Sequence, residues 1–552
     1  MTISPLRAGH SSRPSSAMAY QHLLNGWRQA ILVAILLFGL LFSSLDASIV
    51  STSLVTISID LQDFLNAPWV VLAYLLAYLG LAIGFAKLSD IYGRRDVLCA
   101  AWVLFAGFSI GCASARTMQQ LIICRAFQGM GGSGLYSLAQ IALFEVGPAD
   151  KPSLMGAMIG LTLAVSYVLG PVLGGIISST ATWRWIFWIN VPVGFILVGA
   201  LYLAWPVGIS RQQQRGFSAI RRIDFLGNIL IIAACTLLVF ALQEAGAYSF
   251  AWNHPVIVLA LVVSVLSWLG FAAWEVFLGS RIDTRIEPIL PLRLMSRAYS
   301  ACVICTFCTG FTYLVILVIL PERFQIVNGD NALYSGIHLL PMLGSTALGA
   351  FFAGAVSRRR NNTSWTLVAA HCFQLLGAGL MLMMHNITME IKAQYGFQVL
   401  LGLGIGLSLG AATIMASVQS GQADLAVAQG IVAQARVFGG SIGIAICSII
   451  FNARVAHDLD GKMDPDDLGA LHHSPTIAPW LPNELQLKVK TVYAAAFTDD
   501  IKLVMGVTVI GIITSFFTYQ RQPPPMPGTP AAKEALGTEQ SETELDEFAH
   551  RS

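Results

Sequence analysis

The sequence predicts an all-α membrane protein whose chain crosses the bilayer fourteen times. Three observations carry that reading. Hydrophobic residues make up 55% of the 552 residues and charged residues only 11%, against about 25% charged in a soluble domain, and the mean hydropathy is +0.68. Fourteen apolar stretches approach or exceed the roughly 20 residues that a helix needs to cross a hydrocarbon core about 30 Å thick. Inside those fourteen stretches only Asp46, Arg125 and Arg436 are charged.

The stretches run over 29–57, 67–86, 97–115, 121–144, 154–182, 185–207, 225–243, 255–274, 298–321, 332–357, 363–389, 393–423, 425–453 and 503–520. Residues 1–28 are polar and Ser-rich, carry Arg7, Arg13 and Arg28, and lack the short apolar core and small-residue cleavage site of a secretory signal, so the first stretch is read as a retained span. An even number of spans places both termini on one side, and the Lys/Arg bias of the loops selects that side. The two tails and the loops on their side hold 21 basic residues; the opposite short loops hold four (Arg116, Arg184, Arg323, Lys392), and the long loop before the last span holds five. Both termini are therefore expected in the cytoplasm, anchored by RQQQRGFSAIRR (211–222) and SRRR (357–360). Asn361 and Asn362 then fall on the cytoplasmic side, and Asn386, in Asn386-Ile-Thr388, is the glycosylation candidate facing out. The Pro-rich and then acidic tail, 521–552, reads as disordered cytoplasmic chain.

Several function classes fall away. A net charge of +2 points to no nucleic-acid partner. Within RAFQGMGGSG (125–134), Gly129-x-Gly131-x-x-Gly134 has the spacing of a dinucleotide-binding turn, with Asp150 downstream. Such a turn needs a preceding strand inside a βαβ unit, and these residues lie in an apolar stretch of helix length, so no nucleotide is expected there. No GxxxxGK[ST] phosphate loop occurs. HExxH is absent, and His338 and His371 stand isolated within spans, so neither an enzyme nor a metal or other cofactor is predicted. All nine cysteines sit in apolar stretches, and Cys302, Cys305 and Cys308 read as small packing residues. Glycines at four-residue spacing (Gly80/Gly84, Gly156/Gly160, Gly170/Gly174, Gly402/Gly406/Gly410, Gly439/Gly443) allow close helix packing in lipid.

The turn after the second stretch reads AKLSDIYGRR (86–95). Gly93 permits a tight backbone, while Asp90, Arg94 and Arg95 set opposite charges at two helix ends, where a carboxylate can meet a helix N-terminus and guanidinium groups. A charged turn obeying the loop bias would look the same. This segment resembles the signature loop of the major facilitator superfamily, with Ala86 where that family usually has Gly. Four further segments match in order. LDASIVSTSL (45–54) resembles the first-span motif of the fourteen-span drug:proton antiporters, and RAFQGMGGSG their fourth-span motif, whose arginine is implicated in proton transfer. GPVLGG (170–175) is similar to the antiporter signature, and WRWIFWINVPVG (183–194) to the entry into the sixth span. GAVSRRR (354–360) looks like a degenerate second copy of the charged loop, as a two-halved carrier would retain.

The resemblance covers residues 29–520 and implies the major facilitator fold. That fold has two six-helix bundles (29–207 and 298–520, the latter including an extracellular loop 454–502) and two inserted helices within 208–297. It implies a proton-coupled secondary-active efflux transporter in the plasma membrane. Such a carrier exports amphipathic organic compounds (drugs, fungicides or secondary-metabolite toxins) by alternating access, its partners being that small molecule, protons and the bilayer. Asp46 would carry or relay the proton, with Arg125 and Gln128 stabilising its ionised state, unless Asp46 and Arg125 form a permanent ion pair. Gly170, Pro171, Gly174 and Gly175 would let the fifth span bend. Arg436 either mirrors Arg125 in the second half or snorkels to lipid phosphates. An importer or vacuolar transporter of amino acids or iron chelates, and a membrane sensor that moves nothing, remain as alternatives.

Overall fold

Lipid offers no hydrogen-bond partners, so a spanning segment must satisfy its own backbone, which a helix does within one segment. The computed structural model describes residues 26–147, 152–205, 224–247, 250–280, 286, 288–357, 360–385, 392–420, 424–459 and 483–526, and among them no strand occurs. Asn386, the basic segment 211–222, Arg358, Arg359 and nearly all of both tails lie outside the described residues.

Seventeen α-helices follow one another among the described residues. They are α1 (Gly26–Ile49), α2 (Leu54–Asp60), α3 (Ala67–Tyr92), α4 (Arg94–Ala113), α5 (Met118–Val146), α6 (Pro152–Thr180), α7 (Trp185–Trp188), α8 (Asn190–Ala204), α9 (Phe225–Gly246) and α10 (Pro255–Ser280). The rest are α11 (Arg297–Arg323), α12 (Ala332–His338), α13 (Leu340–Val356), α14 (Thr363–Met381), α15 (Gln394–Gln419), α16 (Leu425–Leu459) and α17 (Asn483–Phe516). Helix lies on each of the fourteen predicted stretches, and eleven helical segments among the described residues are long and apolar enough to cross a membrane. α3 contributes the shorter apolar segment Ala67–Ala82 among the described residues, and α5 and α17 are the exceptions. Polar residues explain α5 and α17: α5 contains Gln119, Gln120, Arg125 and Gln128, and residues 483–502 of α17 contain Lys488, Lys490, Asp499, Asp500 and Lys502. Two boundaries differ from expectation. The first helix ends at Ile49 and the chain turns into α2, and residues 454–459 and 483–502, read as loop, are helical.

Local chemistry sets several ends. Thr117, Ser296 and Asn331 cap α5, α11 and α12 by accepting from the N–H groups of Gln120, Tyr299 and Tyr334. Between α3 and α4 the single residue Gly93 turns the chain at φ 99°, in the region where a side chain is strained.

The helices pack as two groups. In the first, α5 lies against α1, α3 and α4, α6 against α1, and α8 against α4; in the second, α15 lies against α13 and α14, and α11 against α16 and α17. The groups meet where α6 touches α12 and α13 and where α3 touches α16. Helices α9 and α10 pair with each other, and α9 rests on both α3 and α16, bridging the groups. Close approach explains the fourth-span glycines: a Cβ on Gly129 would lie 2.4 Å from the Tyr74 carbonyl oxygen, and one on Gly131 2.5 Å from the Phe105 nitrogen. Outside, large apolar side chains such as Leu203 (86% exposed) and Phe351 (71%) project outward, as lipid-facing positions require.

Candidate functional site

The charged centre of the first group is built from four helices. Arg125 and Gln128 stand one turn apart on α5 and so share a face; α1 brings Asp46, α8 brings Asn190 and α4 brings Ser109. Asp46 is 0% exposed and Arg125 1%. One Asp46 oxygen accepts from Nη1 of Arg125. The other accepts from Gln128 Nε2 at 2.9 Å and Asn190 Nδ2 at 3.0 Å. Arg125 also donates through Nε to the Val70 carbonyl at 3.0 Å and through Nη1 to Gln128 Oε1 at 2.8 Å, and its guanidinium lies 4.3 Å from the centre of the Tyr74 ring. Ser109 Oγ takes the remaining reach of both amides, 2.8 Å from Gln128 and 3.3 Å from Asn190. Taking two charges out of water costs several kcal/mol per ion, and the bonds to both carboxylate oxygens and to the guanidinium offset it. Arginine keeps its proton, so the carboxylate is the member of this pair with two available charge states. A proton on it would remove its hold on Arg125.

Asn190 and Ser109 belong to this network although their residue types drew no attention in the sequence. Asn190 could have been noticed as an amide inside the apolar part of WRWIFWINVPVG; a serine among small residues gives no such signal.

In the charged turn, Arg94 forms an ion pair with Glu145 in the last turn of α5 at 2.9 Å, and its Nη1 donates to the Ala86 carbonyl at 3.2 Å and to Ser89. Arg95 pairs with Asp96 at 2.8 Å and lies over the Tyr202 ring at 4.6 Å. The side chain of Asp90 lies outside the described residues. Glu145 and Tyr202 join this cluster without having been singled out; the cue for Glu145 was an acid just beyond the end of an apolar stretch.

Gly170, Pro171, Gly174 and Gly175 lie where α6 meets both groups. A Cβ on Gly174 would come within 2.2 Å of the Ile49 carbonyl on α1, and one on Gly175 within 2.5 Å of the Ala332 carbonyl on α12. The Pro171 carbonyl accepts from Thr52 at 3.0 Å, and the Thr52 carbonyl accepts from Gln325 of the second group at 3.1 Å. Arg436 lines a cavity between the two groups.

A second cavity at the end of the bundle bearing Phe64 and Pro68 is lined by Glu322, Arg323 and Asp500. Asp500 is buried with Oδ1 unpartnered, while Arg323 donates to the Met384 carbonyl and lies over the Phe497 ring at 5.2 Å. The cysteines of α11 diverge: Cys302 faces the Ala412 carbonyl and Cys305 that of Gly511. His338 is less isolated than expected, with Asp330 3.7 Å away and the Tyr395 ring stacked at 5.6 Å.

Helices with lipid-facing exteriors, gathered as two groups about an internal cavity with a buried ion pair, define a multi-pass membrane transport protein. The chain belongs to the Major Facilitator Superfamily, whose sequence profile matches residues 36–444. It is 34% identical over 514 residues to the MFS-type transporter FPY5 of Fusarium mangiferae, covering 92% of this chain and 86% of that one. It is 30% identical over 376 residues to multidrug resistance protein 3 of Bacillus subtilis, covering 68% and 70% of the two chains. Among solved structures, a bacterial homologue of the human lysosomal transporter Spinster, inward-facing and unoccupied, superposes with a TM-score of 0.61 at 13% identity, covering 90% of this chain and 98% of that one, and so shares the fold.

Proposed function

We propose that this chain is a proton-coupled efflux carrier of the fourteen-span drug:proton antiporter type, with both termini in the cytoplasm of a plasma-membrane protein, exporting amphipathic organic compounds by alternating access. The observation that carries the reading is the Asp46 centre. A carboxylate wholly buried in a membrane bundle, tied to Arg125, Gln128 and Asn190 from three other positions in the fold, couples a change of charge to a rearrangement of α1, α5 and α8. Antiport needs that coupling, because the ionised and neutral forms must favour different conformations. The α6 glycines, packed on α1 and α12, supply a contact between the groups that such a rearrangement can make and break. The name multidrug resistance protein 3, borne by a relative, agrees with an organic cargo.

The test is flux in proteoliposomes of the full chain, with a panel of amphipathic dyes and an imposed pH gradient. Wild-type protein should move dye against proton flow, and Asp46→Asn should retain folded protein and dye exchange while losing dependence on the gradient. Normal pH dependence in the Asn variant would show that the proton travels elsewhere.

A further inference from the structure

Five tyrosines line the cavity between the two helix groups: Tyr74, Tyr78, Tyr136, Tyr167 and Tyr313. Tyr78 meets Tyr136 edge to face, and Tyr167 meets Tyr313 likewise, each pair with ring centroids 5.4 Å apart. Arg436 is the one charged residue among those lining this cavity. Its backbone is held against α11, where a Cβ on Gly310 would lie 2.0 Å from the Arg436 carbonyl oxygen. At 1.5 Å per residue, its place in α16 puts it about 16 Å from the start of that helix, too deep for the guanidinium to be a surface charge. The guanidinium lies beside the Tyr167 hydroxyl.

Three buried polar atoms of this lining have no hydrogen-bond partner: Nε of Arg436, the Tyr313 hydroxyl and Oγ of Ser44. No carboxylate among the described residues pairs with Arg436, and Asp46 has both oxygens engaged by Arg125, Gln128 and Asn190. An arginine Nε and hydroxyls left unsatisfied at membrane depth are costly until an acceptor arrives. Donors of this kind select an oxygen acceptor, a single guanidinium selects one negative charge, and tyrosine faces select a flat ring or conjugated frame. Two polar features of an otherwise apolar cavity therefore converge on one ligand chemistry.

We propose that this cavity binds planar aromatic or conjugated monoanions, such as a carboxylate or enolate on an apolar frame. Arg436 is the charge partner, Tyr313 and Ser44 are donors, and the other tyrosines are stacking walls. The inference rests on the carrier reading above for its cargo but on neither the direction nor the coupling of transport. Organic cations meet an unbalanced positive charge and are disfavoured.

The experiment is equilibrium binding to the purified full chain in detergent, with three probes sharing one ring system: 2-naphthoate, 2-naphthamide and 2-naphthylmethylammonium. Wild-type protein should bind the naphthoate about tenfold or more tighter than the cation, with the neutral amide between. Arg436→Gln should erase the advantage of naphthoate over amide while leaving amide binding within about threefold, and Tyr313→Phe should weaken naphthoate and amide together. Equal or tighter binding of the cation by wild-type protein overturns the proposal, as does an unchanged naphthoate-to-amide ratio in Arg436→Gln or no binding of any probe. If Arg436→Gln does not fold, the wild-type anion-to-cation ratio decides. Loss of gradient dependence is read separately, through Asp46, so failure of the coupling reading and failure of this site are distinguishable.

Discussion

Replacing Asp46 with Asn and Arg125 with Met, singly and together, measures what holds the buried pair in place. With the partners 0% and 1% exposed, either single change leaves one full charge buried without its counter-ion, which costs about 3–5 kcal/mol. Neutral interhelical hydrogen bonds in membrane proteins are worth about 0.6 kcal/mol each. The two amide contacts to Asp46 therefore contribute roughly 1 kcal/mol together, and the cation–π contact of Arg125 with Tyr74 about 1–2 kcal/mol. The charge effect exceeds the rest. Each single variant should lose about 3–5 kcal/mol, Asp46→Asn at the lower end because the Asn carbonyl still accepts from Arg125. The double variant, with no buried charge to orphan, should lose only about 1–3 kcal/mol. A stability in the upper half of the ordinary range, about 10–15 kcal/mol, keeps all three folded. Unfolding of the full chain by SDS in mixed micelles, followed by circular dichroism, gives the four free energies of the cycle. If the double variant loses the sum of the two singles to within about 0.5 kcal/mol, the side chains act independently and the pair is not the organising contact. A loss below about 1 kcal/mol for Asp46→Asn would show that Arg125 needs no counter-ion.

Gly175→Val should destabilise by about 1–3 kcal/mol, because its Cβ would come within 2.5 Å of the Ala332 carbonyl and 2.8 Å of the Leu333 Cα; Gly160→Ala, with nothing within 4 Å, should be neutral or stabilising by up to about 1 kcal/mol. Equal effects of the two in the same SDS titration would rule out close packing at Gly175. Glu145→Gln should cost about 1–2 kcal/mol, since its partner Arg94 has a side chain only 11% exposed, and Arg94→Gln should cost more, because it also gives up the bonds to the Ala86 carbonyl and Ser89. At the opposite end of the first group, the Trp183 indole, 2.9 Å away, and then Arg184 hold the Asp60 carboxyl below its ordinary value of 3.8. A depressed folded value stabilises above the unfolded one and is lost as pH falls through the folded one, so this contact weakens only in acid below about pH 4. With Asp60 47% exposed, the effect stays under about 1 kcal/mol. Trp183→Phe should return the carboxyl toward 3.8 in an NMR titration of labelled Asp, and an unmoved value would show that the indole does not set it.

Apolar length and charge depletion made the helical character of the chain legible, because lipid imposes those two properties on any spanning segment. The centre of the first group was half legible. Asp46 and Arg125 stood out as charges in apolar stretches, but Asn190 and Ser109 are of types that also pack silently in helices, and only the fold brings Asn190 to the carboxylate oxygen and Ser109 to Asn190. The same criterion that finds spans also hides chemistry. A window chosen for lack of charge stops at the first acid or base, so Glu322 falls one residue past the predicted stretch 298–321, and Asp500 three residues before 503–520. Both carboxylates line one cavity with Arg323, inside helices that continue past those limits. Of the helices outside the apolar criterion, α5 supplies Arg125 and Gln128 and α17 holds Asp500. A helix that carries polar groups for a site must give up the apolar surface by which it is recognised as a span. In this chain, weak hydropathy in α5 and α17 therefore accompanies a charge-bearing interior, whereas strong hydropathy alone does not separate lipid-facing from buried helices: α9 and α10 are 28% buried and the equally apolar α11 is 72% buried.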